Sequence, residues 1–155
     1  NREYFLKMEN KTLLALLVPT SNQFKHDDYS AEVINLIKER CSLLSEFENE
    51  GSYFFGDSVS IDAKEANKVF TEDALIILKL LVEGFKELTN WQVRDIKNLF
   101  NEVMEKKEVG MASVGKPLRL AITGRMNSAS VDETSLVLGK EKVIKRVEEA
   151  IKSYS

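Results

Sequence analysis

The chain is poor in chemistry-bearing residues: among 155 residues it has one cysteine, one histidine and two prolines. A lone cysteine, Cys41, closes no internal disulfide, so stability has to come from a core, and a reducing compartment is expected. One His and one Cys cannot assemble a zinc site from those ligands. A nucleophilic triad or a Cys-His pair would have to use His26, which lies in the polar run Lys25-His26-Asp27-Asp28 and reads as a solvated loop residue. No apolar run approaches the ~20 residues that a membrane-spanning helix needs, and the longest, Leu75 to Val82, is interrupted by Lys79. The opening Asn1-Arg2-Glu3-Tyr4 is neither a signal peptide nor an initiating methionine. The chain is therefore expected to be a piece of a longer, cytoplasmic protein that makes no membrane contact. A phosphate-cradling glycine loop is also excluded. Gly110 to Lys116 has the outline of GxxxxGK, but Pro117 replaces the required Ser or Thr and no buried strand precedes it.

What is present is the profile of a soluble globular protein, with 43% hydrophobic and 30% charged residues. A net charge of −3 argues against a general nucleic-acid sponge. Its distribution is more informative. Residues 1–105 carry 12 Lys and Arg against 19 Asp and Glu, a net −7, whereas residues 106–155 carry 10 against 6, a net +4. A basic end on an acidic body suits a localised phosphate contact.

Helical periodicity dominates the chain. A first helix is expected from near Arg2 to Leu17, stopped by Pro19, with Tyr4, Phe5, Met8, Leu13, Leu14 and Leu17 apolar. Ser30 is expected to cap a helix burying Val33, Ile34 and Ile37. Leu43, Leu44 and Phe47 keep helical spacing up to Gly51, and the cluster Tyr53-Phe54-Phe55 runs into a turn at Gly56-Asp57-Ser58 that marks a domain boundary. Beyond it come a short helix over Asp62 to Val69 and a longer one capped by Thr71. A capping box of Thr89 and Gln92 is expected to open the next helix, which ends near Lys107. Leu118 to Thr123 alternates like a strand but has no partner run, and Pro117 suits a first helical turn, so it reads as a helix ending at Gly124. Ser130 and Glu133 form another capping box, Gly139 separates two helices, and the last helix, from Lys140 to Tyr154, is expected to bury Val143, Ile144, Val147 and Ile151. The fold expected is all-α, two small packed helical domains without a sheet, residues 1–58 and 59–155.

The informative stretch is Val109 to Glu141, in which a helical Arg119 stands beside a small-residue loop, Asn127 to Ser130. Such a loop lets an unpaired RNA base approach the backbone, and a guanidinium can bond its edge or stack on it. The segment resembles the end of bacterial glutamyl-tRNA synthetases, class I aminoacyl-tRNA synthetases. Gly110-Met111, Pro117-Leu118-Arg119, Ala121-Ile122-Thr123-Gly124 and Leu138-Gly139-Lys140-Glu141-Lys142 match that family's elements at matching spacing, and Trp91 matches a tryptophan of the same region. Arg40, Leu44, Glu46, Phe47 and Tyr53-Phe54-Phe55 resemble the preceding helical domain. The resemblance covers roughly the whole chain and is strongest from Thr89 onward.

The resemblance implies an anticodon-binding part of a glutamate-tRNA ligase, two helical domains gripping the anticodon loop of tRNA(Glu), with tRNA(Gln) left open as a second partner. It assigns Arg40 to the first anticodon base. Around the second and third bases it places Met111, Arg119, Ser128, Ala129 and Val131. The family loop often has Pro or Gly where this chain has Ala129 and Ser130. The HIGH-like and KMSKS-like signatures of the catalytic domain are absent, and no acidic pair is arranged for acid–base work. This chain is thus expected to be inactive alone and to hold no cofactor, while the parent's catalytic domain uses ATP and magnesium. A rival of another class is a helical protein-interaction domain that exposes Tyr53-Phe54-Phe55 as its anchor; burial of that cluster would count against it.

Overall fold

The computed structural model describes residues 2–155, and the described residues contain helices and no strand. The chain divides into two compact units, Asn1–Gly56 and Asp57–Ser155.

In the N-terminal unit the expected first helix is two: α1 (Arg2–Lys7) and α2 (Asn10–Leu17), separated by an extended Glu9. At about 100° per residue, one continuous helix would put Phe5 roughly 80–180° around the axis from Leu13, Leu14 and Leu17. The break lets both sets be buried, with Phe5 edge-on to Phe47 at 5.2 Å. Tyr4 is left exposed. Pro19 sits within a single 3-10 turn, Val18–Thr20, that ends the segment.

Next comes α3 (Asp28–Ile37), capped by Asp27 rather than by Ser30. The Asp27 carboxylate accepts the Ser30 N–H at 2.8 Å, and the buried Ser30 hydroxyl accepts the Lys25 N–H at 3.0 Å, so Ser30 braces the loop from inside the first turn. After a 3-10 turn, Lys38–Arg40, the chain makes a second, Leu44–Glu46, then α4 (Phe47–Glu50) and a third, Ser52–Phe54. Of the expected apolar set only Phe47 is buried. Leu43 is extended and 62% exposed, because Glu46 turns back to accept the N–H groups of Ser42 and Leu43. Tyr53 and Phe54 are buried and Phe55 is half-buried, and the Phe54 carbonyl accepts the Tyr29 hydroxyl at 2.5 Å, so most of the aromatic cluster belongs to the core and it is not an exposed anchor.

The C-terminal unit holds α5 (Ala63–Val69), α6 (Glu72–Glu87), α7 (Val93–Lys107), α8 (Met111–Thr123), α9 (Val131–Leu138) and α10 (Lys140–Tyr154). Asp62 and Thr71 cap α5 and α6 through their side-chain oxygens, at 3.2 and 3.1 Å. Thr89 does not open α7. That helix starts at Val93 after an extended Gln92, because the turn before it must carry the Trp91 ring onto Phe85 and its Nε1–H to the Ser135 carbonyl. Pro117 is not in a first turn either. Helix α8 starts at Met111, so Pro117 lies in its interior and the Ser113 carbonyl receives no N–H from it. Ser130 stands at the start of α9 without a side-chain cap, so the expected box with Glu133 does not form.

Two glycines make the joints. Gly139 has φ +90° between α9 and α10. Gly124 ends α8 at φ +74°, and a Cβ there would lie 2.3 Å from the Ser60 carbonyl oxygen. On α10 the buried face is Val143, Arg146, Val147 and Ala150, while Ile144 and Ile151 are only half-buried. Arg146 is 1% exposed and its Nη1 donates to the Ile122 carbonyl at 2.7 Å.

Gly124→Ala combines a left-handed penalty of about 1–2 kcal/mol with a backbone clash that no rotamer change relieves. It should lower unfolding free energy by at least about 2 kcal/mol, read by urea titration. Asp27 offers a test by pH. The Ser30 backbone N–H, and after it the Ser30 hydroxyl, hold the Asp27 carboxyl below its ordinary value. A depressed folded value means stability fully present above the unfolded value, near pH ~4, and lost as pH falls through the lower folded one. Asp27→Asn should therefore flatten the acid limb of a stability–pH curve below about pH 4. An acid limb as steep as the wild type's would remove Asp27 from it.

Candidate nucleic-acid interface

Helix α8 is buried along most of its length. Val114, Gly115, Pro117, Leu118 and Leu120 to Thr123 all face other elements. One edge stays open, carrying Met111, Lys116 and the half-buried Arg119. Against this edge lies a groove of about 750 Å³. Helix α7 contributes Lys97, Phe100, Asn101 and Met104, and the start of α9 contributes Val131, Asp132 and Glu133. The floor is apolar, with Phe100 and Val131 buried. The rim is charged: three cations, Lys97, Lys116 and Arg119, and two carboxylates. Lys97 pairs with Asp132 at 3.4 Å, with the lysine side chain 61% exposed. Such an exposed pair contributes at most about 1 kcal/mol.

Arg119 is fixed at one point. Its Nε donates to the Ser128 hydroxyl at 3.0 Å. Among the described residues no carboxylate is within ion-pair distance of it, Glu133 included. The Ser128 hydroxyl in turn donates to the Ala129 carbonyl at 2.9 Å, which also accepts the Thr134 hydroxyl at 3.3 Å. At the end of α8 the buried Thr123 hydroxyl meets the Arg119 carbonyl at 2.7 Å and accepts the Arg125 N–H at 3.0 Å. The helix end beneath the arginine is thus closed by its own loop.

Of the residues marked in the sequence, Met111, Arg119 and Val131 line this one groove. Ser128 and Ala129 are buried, and Ser128 stands behind Arg119 as the support for its Nε. Arg40 belongs to the N-terminal unit. It lies at the end of the 3-10 turn Lys38–Arg40, and its Nε meets Glu50 Oε2 at 3.1 Å. The α7 side of the groove, Lys97, Asn101 and Met104, and Lys116 on α8 were missed. They are polar or flexible positions on amphipathic helices, and only packing shows which of them turn toward a groove.

The elements that carried the resemblance divide between groove and scaffold. Trp91 donates to the Ser135 carbonyl at 3.0 Å. Lys140 Nζ donates to the Lys86 and Leu88 carbonyls at 3.1 and 2.7 Å, closing the C-terminal end of α6. No group of three or more His, Cys, Asp or Glu among the described residues could hold a metal ion. Among the described residues no helix is long and apolar enough to cross a membrane.

A family model described as an anticodon binding domain matches residues 9–151. Among solved structures the chain is similar to a glutamate tRNA ligase from Elizabethkingia meningosepticum in complex with its amino acid. The identity is 27% and the TM-score 0.88, over 100% of this chain and 31% of that one. It is similar too to a glutamate-tRNA synthetase from Elizabethkingia anophelis, at 27% identity and TM-score 0.82, over 97% of this chain and 30% of that one. The chain thus spans about a third of the length of these two structures.

Proposed function

The chain belongs to the anticodon-binding domain family, and from that premise we propose that it is the anticodon-gripping part of a glutamate-tRNA ligase. Its partner is tRNA(Glu), and tRNA(Gln) where the parent charges both. It works in the cytoplasm beside a catalytic domain of the same polypeptide, which uses ATP and magnesium to attach glutamate. The residues here do not fit either group. The Gly110 to Lys116 run is the start of α8, with Pro117 where a phosphate loop needs Ser or Thr, and among the described residues no carboxylate cluster is available for a metal. This chain takes no chemical step; it selects the RNA.

The observation that carries the reading is the state of Arg119. Its Nε is spent on Ser128, its charge meets no carboxylate among the described residues, and it lines a groove with an apolar floor. An unpaired base can stack on such a floor while the Nη fork bonds its edge. Met111, 44% exposed at the groove's end, adds a flexible apolar contact. Val131 belongs to the floor, Ser128 holds the arginine, and Ala129, buried behind it, contributes its small size and its carbonyl. Lys97 and Lys116 take phosphates. The alternative of a protein-interaction anchor at Tyr53 to Phe55 is disfavoured, because Tyr53 and Phe54 are buried.

Anisotropy of a labelled glutamate anticodon stem-loop tests this. Binding should weaken steadily with salt, since each phosphate contact in a single strand contributes about 0.7 to the log–log slope. Arg119→Ala should weaken binding by roughly ten- to a hundredfold, the scale of a bidentate base contact. The melting temperature should barely move, because exposed or half-exposed changes cost about 0.5 kcal/mol. Unchanged binding, or binding lost together with the fold, would refute a direct role.

Arg40 is assigned to the first anticodon base, its guanidinium plane set by Glu50. In the full-length parent, Arg40→Gln should alter the relative charging of tRNA(Glu) isoacceptors that differ at that base. An identical ratio would remove Arg40 from the site.

A further inference from the structure

Helix α9 has eight residues, too few to be stable by itself, since isolated helices below ~12–15 residues are marginal. Its place is therefore set by what holds it. Its N-terminal end supplies a wall of the groove through Val131, Asp132 and Glu133. Its C-terminal end is held by two polar ties that come from a single turn between α6 and α7. The Trp91 indole donates to the Ser135 carbonyl at 3.0 Å, the same oxygen that accepts the Gly139 N–H at 3.1 Å. Lys140, immediately after Gly139, donates to the Lys86 and Leu88 carbonyls. The turn is stiffened by the Trp91 ring, edge-on to the buried Phe85 at 5.4 Å. Neither Trp91 nor Lys140 lines the groove. Ser135 and Val131 are one helical turn apart, about 6 Å along the axis, so a rotation at the tied end is carried directly to the groove wall.

We propose that Trp91 and Lys140 are positioning residues, which set the recognition wall of the groove from its far side by clamping α9 to the α6–α7 turn. The proposal rests on the groove being the RNA site. It separates two parts of binding. The phosphate-binding lysines stand on α7 and α8, and of the two only Lys97 meets α9, through the pair of its solvent-exposed ammonium with Asp132, whereas the base-facing wall on α9 depends on the clamp throughout. Loosening the clamp should cost discrimination and leave charge attraction unchanged. Trp91 is the only tryptophan, so its fluorescence reports on the tie itself.

The test uses the 155-residue chain with two labelled stem-loops, one carrying a glutamate anticodon loop and one a scrambled loop. Trp91→Phe keeps an aromatic ring on Phe85 and removes the N–H. Lys140→Met removes the cation, and Lys140→Arg restores one. Trp91→Phe and Lys140→Met should each weaken binding of the glutamate loop about five- to tenfold. Both should bind the scrambled loop within about twofold of wild type, with the same salt slope. Lys140→Arg should recover the glutamate loop, and wild-type tryptophan emission should change as that loop saturates. If Trp91→Phe fails to fold, Lys140→Met, at a half-exposed position, decides alone. Variants that bind the glutamate loop like wild type overturn the clamp while leaving the RNA reading intact, and so do variants that lose both loops in parallel. A wild-type chain that does not distinguish the two loops overturns the RNA reading, and the clamp with it.

Discussion

A helix leaves four carbonyls at its C-terminal end without an intrahelical partner, and the C-terminal unit is organised around closing those ends. At α6, Lys140 reaches the Lys86 and Leu88 carbonyls. At α8, the Gly124 N–H takes the Leu120 carbonyl and Arg146 takes that of Ile122. At α9, the Gly139 N–H and the Trp91 indole share the Ser135 carbonyl. An unmet buried acceptor costs about 1–3 kcal/mol, and a cation near a helix C-terminus also gains from the helix dipole. Two of the closing groups come from α10, so placing that helix correctly and satisfying α6 and α8 are one event. This also explains a full guanidinium between Val143 and Val147. Burying it is offset by the carbonyl end it meets. Lys142, one turn earlier, is affected in turn: burial first, then the Arg146 charge, push its ammonium below the usual lysine range, with Asp57 opposing.

The same constraint accounts for why the resemblance was so clear in this half of the chain. Thr123, Gly124, Gly139, Lys140 and Trp91 are residues of helix ends and of the turn that serves them, and Gly124 is further confined by the Ser60 carbonyl against it. Met111 and Arg119 are residues of the groove. A motif that mixes the two kinds specifies both the scaffold and what it presents. Its glycines and threonine are legible as structure only once their partners, far apart in sequence, are known.

Periodicity and capping chemistry made the long helices legible. Helices α6 and α10 lie where the apolar stripes put them, and Thr71 caps α6 as its position suggests. The errors have a common origin: a local signal was overridden by a distant partner. Ser30 is a good cap residue, but Asp27 is better placed, and Ser30 serves the loop instead. Thr89 and Gln92 have box spacing, yet the chain stays extended through Gln92 because Trp91 has to reach Ser135. Pro117 is tolerated in mid-helix, where the sequence suggested a helix start. Arg146 could not be recognised as buried, since the carbonyl that receives it lies 24 residues away. The groove was half legible. Arg119 could be named from the family pattern, whereas Lys97 and Asn101 lie on a helix with a continuous polar face.

The two arginines proposed to read bases share a detail of construction that would separate their tasks. Each is held through Nε, which fixes the plane of the guanidinium rather than merely its charge. For Arg40 the holder is the Glu50 carboxylate, which offsets the charge. For Arg119 the holder is the neutral Ser128 hydroxyl, so the charge stays uncompensated above an apolar floor. In that setting a hydrogen bond from the guanidinium is charge-assisted, about twice as strong as a neutral one. On the proposed reading it acts on the acceptor that a stacked base presents. A lysine at 119 would supply the charge without a fixed plane, and the Ser128 tie would have nothing to orient. On the proposed reading the arginine, the serine behind it and the clamped α9 wall are therefore one device, in which the direction of the donors carries the discrimination and the surrounding lysines carry the attraction.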